Sequence, residues 1–88
     1  MKKTRELVEG YITLTEAHIK RLNDKLHRCE KELAEELKST FPSVDAMAQI
    51  TARMASTKSE ITNEDTTMSM LRDILEIITI EENSPSVG

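Results

Sequence analysis

"KSTFPSVD", Lys38 to Asp45, is the one place in this 88-residue chain where a helix has to stop and another can begin. Proline disfavours helical geometry in the residue before it, which pushes Phe41 toward extended backbone. Ser43 can then accept a hydrogen bond from a free N–H of a new first turn, with Asp45 well placed near that turn's positive end. The stretch predicts a corner at about residues 40–43, with a long helix on either side of it.

Upstream, apolar residues recur in alternating steps of four and three: Val8, Ile12, Ile19, Leu22, Leu26, Cys29 and Leu33, with Thr15 in one polar slot and Leu37 closing the run. That spacing lines one side of a helix. The other side carries Lys20, Arg21, Asp24, Lys25, Arg28, Lys31 and Glu32, several of them four apart with opposite signs, as expected of a solvated face. Downstream, Met47, Met54, Ile61, Met68 and Leu75 stand seven apart, and Ile50, Leu71 and Ile78 interleave with them; Thr57 and Glu64 break the apolar set. The preserved phase favours one continuous second helix. "ITNEDTT" (Ile61–Thr67) is poor in helix formers, however, and Thr62 with Asp65 could cap a fresh start. Helix one carries a similar ambiguity at Gly10, because Thr13 and Glu16 have the spacing of a capping box and could open the helix there.

The expected fold is all-α: an antiparallel two-helix hairpin of coiled-coil type, with pairing into a four-helix bundle as an open further step. Helix one is expected at about residues 5–39, helix two at about 44–81, and a mobile tail over about 83–88. Composition agrees. Tyr11 and Phe41 are the only aromatic residues, and two glycines and two prolines are too few for a turn-rich β domain.

Two helices joined by a short corner need one apolar stripe each, yet "MSMLRDILEIITI" (Met68–Ile80) holds eight Met, Leu or Ile residues in thirteen. Met70, Ile74 and Ile77 form a second stripe beside Leu71, Leu75 and Ile78. Leu7, Tyr11 and Leu14 do the same beside Val8 and Ile12, with His18 continuing the line. In an antiparallel hairpin both surpluses gather at the end bearing the termini, while the corner end is expected to have a thin seam and charged flanks. An apolar patch of this kind usually marks an interaction site. Leu7, Tyr11, Leu14, Met70, Ile74 and Ile77 are therefore the expected partner-binding residues, either for another protein's helix or for a second copy, with a homo-oligomer expected in isolation.

Catalytic and ligand-binding chemistry is not expected. His18 and Cys29 are eleven residues apart on a helix, about 16 Å, too far to share one ion. No nucleophile has a base and an orienting group at readable spacing, and Gly10 and Gly88 cannot make a phosphate loop. No enzyme, metal or cofactor is expected. A net charge of −4 with a pI near 5.2 argues against nucleic acid. The chain lacks an apolar run long enough for a membrane span, and its one cysteine suits a reducing compartment, so a cytoplasmic protein is expected.

A short acidic hairpin with its corner near the middle and the Ile-rich "LRDILEIITI" (Leu71–Ile80) just before a short tail resembles the small co-chaperones of bacterial type III secretion needle subunits. The resemblance covers about residues 12–82 and is one of architecture and pattern. It implies binding to a tetratricopeptide-repeat chaperone, which is stabilised as a result, and joint protection of a needle subunit that would otherwise polymerise. A small regulator that occludes another protein, or a homo-oligomeric spacer, is the alternative.

Overall fold

A computed structural model, which describes residues 2–84, shows two long α-helices, α1 (Lys2–Leu37) and α2 (Val44–Asn83). They pack against each other as an antiparallel hairpin, with Arg5 reaching Glu82 near the termini and Arg53 reaching Glu32 toward the corner.

The corner is built from local hydrogen bonds. The Lys38 N–H is shared between the carbonyls of Ala34 and Glu35, at 3.2 Å each, and Ser39 N–H bonds to Glu36 O. This tightening to three-residue spacing ends α1 at Leu37, two residues before the expected limit. Ser43, at φ −88° and ψ 120°, accepts from Ala46 N–H at 3.2 Å and caps α2, whose first turn carries Asp45. Glu36 closes the corner from the other side by accepting the Ser43 N–H at 2.7 Å.

Both helices run further toward the termini than about residues 5 and 81. α1 starts at Lys2, and α2 continues to Asn83 before Ser84 turns extended at ψ 131°. Arg5 ties these last turns together, donating to Glu82 and, at 2.9 Å, to Thr79 Oγ1. The remainder of the expected tail, residues 85–88, lies outside the described residues.

Neither suspected break occurs. α1 passes through Gly10 unbroken, and Thr13 sits in mid-helix with its hydroxyl donating to Glu9 O at 3.1 Å rather than capping a start. In α2, Thr62, Thr66 and Thr67 likewise donate to the carbonyls four residues back. A threonine hydroxyl satisfied this way does not compete for the helical N–H groups as a cap would, and the seam contacts of Ile61 and Met68 carry the helix through the polar run.

The seam is one row deep. Val8, Thr15, Leu22 and Cys29 in α1 are buried and spaced seven apart; Ile50, Thr57, Leu71 and Ile78 in α2 hold the same period, and Met68 joins them. Ile12, Ile19, Leu26 and Leu33 are half-buried, as are Met47, Met54, Ile61 and Leu75. A straight helix drifts by about 20° per heptad, so holding a seven-residue seam over this length needs left-handed winding. The nearly equal transverse extents of 15 and 14 Å agree with it, since two straight helices side by side would be flat.

Leu37 does not close the seam. It is exposed, because the next seam position after Leu33 is the half-buried Glu36, whose carboxylate turns to the corner. The most buried of the described residues is polar: Thr57 is 0% exposed, and its hydroxyl donates to Arg53 O at 2.8 Å. Thr15 repeats the arrangement with Tyr11 O at 2.8 Å. Among the described residues no buried side-chain nitrogen or oxygen is left without a partner.

The cap and the glycine give opposite expectations. Ser43→Ala should lower the unfolding free energy by about 1 kcal/mol, by removing the acceptor for the Ala46 N–H. A Cβ at Gly10 meets no atom within 4 Å, so Gly10→Ala should raise it by up to about 1 kcal/mol. Urea denaturation followed by circular dichroism measures both.

Candidate functional site

A hairpin with one seam leaves much of itself in water. The radius of gyration is 20.2 Å, against about 12 Å for a globular domain of this length. The accessible surface is 6663 Å², against about 5,200 Å² for a compact monomer of 10.0 kDa. The location of the exposed apolar part of that surface defines the candidate site.

Leu7, Tyr11, Leu14, Met70, Ile74 and Ile77 are all exposed, between 37% for Ile74 and 67% for Leu14. Their relation to one another follows from the Arg53–Glu32 ion pair at 2.9 Å, which fixes both the register and the side of the hairpin on which these two positions face each other. Tyr11 lies three heptads before Glu32, and Ile74 lies three heptads after Arg53. With the seam holding its seven-residue phase, Tyr11 and Ile74 face each other on that same side, nearer the termini. Leu7 stands level with Ile77, and Leu14 with Met70. The six side chains thus form one face across both helices, about 10 Å along the axis.

Gly10 shapes its outer edge. With no side chain there, a shallow depression opens on α1 among Glu6, Leu7, Tyr11, Thr13 and Leu14. At the edge nearer the corner a second hollow is lined by Leu14, Thr15, His18, Arg21 and Glu64. Glu64 occupies a seam position, half-buried, and its Oε2 lies 3.4 Å from His18 Nδ1 on the opposite helix. His18 is thus the cross-helix partner of the seam's acidic break. His27 is more exposed, 3.9 Å from Glu30 of its own helix.

At the other limit of the face the Arg5 guanidinium binds Glu82. That hydrogen bond pushes the Arg5 pKa above its ordinary value; desolvation opposes the shift, and the charges of Glu82 and Glu9 assist it. A cation whose folded pKa is raised contributes its stabilisation below the unfolded value and loses it only as pH rises past the folded one. The clamp therefore holds throughout the neutral and mildly alkaline range.

Sequence reasoning missed the apolar surface at the corner. Leu37 and Val44 are exposed there, and Phe41 is 89% exposed, so the corner has more than charged flanks. Phe41 and Val44 fall outside the heptad pattern, and the signal was only their bulk in a segment where turn residues would serve; Leu37 reads in the sequence as the end of the seam. Ile80 is also exposed, on the outer side of α2.

Among the described residues no three His, Cys, Asp or Glu side chains gather into a group able to hold a metal ion, and no helix is long and apolar enough to cross a membrane. Cys29 is a free, buried thiol. No protein-family model, no curated protein and no solved structure matches this chain.

Glu64→Leu tests the polar break beside the face. A leucine at this half-buried seam position should raise the unfolding free energy by about 1 kcal/mol through added apolar burial. Chemical denaturation checks it; a loss of stability would mean that the carboxylate's contact with His18 outweighs packing.

Proposed function

We propose that this hairpin works by binding a helix of another protein on the face formed by Leu7, Tyr11, Leu14, Met70, Ile74 and Ile77, and that it is not an enzyme. The observation that carries the reading is the convergence of these six exposed side chains on one side of the hairpin at one end. An amphipathic helix laid into such a face uses its own apolar stripe as the complement. Met70 and the Gly10 depression suit this, since an unbranched thioether can repack around different side chains. Hiding about 500 Å² of apolar surface is worth on the order of 10 kcal/mol before the costs of association, comparable with the stability of a whole small domain.

The particular role we put forward is that of a co-chaperone, as in the secretion-needle proteins the sequence resembles. The hairpin would bind and stabilise a tetratricopeptide-repeat chaperone, and the two together would keep a polymerising needle subunit soluble. The mechanism is mass action: a protein that binds only the folded, unassembled state draws the equilibrium away from assembly. A reducing cytoplasm suits the free thiol of Cys29.

The test is co-purification from cells that encode the protein, comparing wild type with the double variant Ile74→Asp and Ile77→Asp. Both side chains are exposed, so the variant should keep its helical circular dichroism. A repeat chaperone and a small polymerising subunit should accompany the wild type and disappear with the variant. Partners retained by the variant would refute the face, and loss of helicity would mean that these residues are internal support.

A further inference from the structure

We infer that, before any partner arrives, the docking face is covered by a second copy of the same chain aligned in parallel, with both sets of termini at one end. The inference rests on the docking-face reading and names the face's resting occupant.

A two-fold pair can bring this side of two hairpins together in three ways. In a full-length antiparallel pair, the apolar end of one copy lies on the corner half of the other, where Glu32, Glu35 and Arg53 stand on the same side. That sets apolar side chains against charge. An antiparallel pair overlapped only at the termini does lay patch on patch, but over about 20 Å of helix. With a face 15 Å wide this gives roughly 300 Å² per copy, well short of the about 800 Å² per partner of a stable interface.

The parallel pair avoids both problems. Rotation about the long axis sets α1 of each copy against α2 of the other at equal height. Tyr11 then meets the second copy's Ile74, Leu14 its Met70 and Leu7 its Ile77, so the patch covers itself. Toward the corner the charges on this side also match: Lys25 stands level with Glu60, and Glu32 with Arg53, the pair already joined within one hairpin. The remaining basic residues on this side, Arg21 and Arg28, stand level with Asn63 and Ser56, so no like charges oppose each other. Contact along the whole of α1, 36 residues or about 54 Å, offers roughly 800 Å² per copy. A partner helix must displace the second copy, so dimerisation and partner binding compete.

Light scattering on the unmodified chain should give twice the 10.0 kDa mass; a single-chain mass at the highest concentration reached would overturn the proposal. Alignment is read with Ser39→Cys, an exposed corner position, carrying a spin label while Cys29 stays buried. The parallel pair should bring the two labels within the width of a four-helix bundle. A separation of about 50 Å, the length of α1, or one beyond the range of the measurement, would overturn it. Tyr11→Asp with Ile74→Asp should halve the mass with helicity kept, and Leu14→Asp with Met70→Asp should repeat the result on a second pair of exposed residues. A dimer that persists in both would overturn the choice of face. A monomeric wild type that still captures a partner helix refutes the parallel dimer alone; a parallel dimer that captures none refutes the co-chaperone reading alone.

Discussion

Two helices can hide only one stripe of side chains each, and the character of this hairpin follows from that limit. Among the described residues, the row at seven-residue spacing, from Val8 to Cys29 and from Ile50 to Ile78, together with Met68, makes up the buried interior, and the alternate seam positions are only half-buried. The row is tightest toward the corner, where small residues meet: register places Cys29 about level with Thr57, and these are its two most buried members. Small side chains let the helices approach closely, and the Thr57 hydroxyl is satisfied within its own helix, so the approach leaves no polar atom unpaired. The large apolar side chains beside the seam are exposed on a single hairpin, where they are available for contacts with other molecules.

The two ends use that surplus differently. Near the termini it forms a strip spanning both helices, bounded by the Arg5 clamp on one side and the His18–Glu64 contact on the other. At the corner, Leu37, Phe41 and Val44 stand around a turn and make a knuckle instead. A strip can take a helix lengthwise.

The hairpin was legible in the sequence because its two strongest signals, the Pro42 corner and the unbroken heptad phase, are local and survive any tertiary setting. The exposed strip was legible as well, since a second stripe beside a seam is a matter of counting residues. What sequence could not settle were places where two local signals competed. Thr13 with Glu16 and Thr62 with Asp65 have the spacing of caps, yet those threonines bond back along the helix, a choice made by the packing of the seam on either side. Leu37 looked like a seam residue by hydrophobicity, whereas Glu36 holds the position and spends its carboxylate on the turn.

The order of cross-links along the hairpin also implies an order of assembly. Glu32 and Arg53 are 21 residues apart in the chain, whereas Arg5 and Glu82 are 77 apart. Closing the longer loop directly costs about 1 kcal/mol more in chain entropy, so the helices are expected to zip from the corner outward and to latch at Arg5 last. The same route run backward begins at the termini. The strip therefore lies in the part of the molecule that opens first, and any molecule seated across both helices there would act as a splint, with its grip felt as slower fraying of the ends.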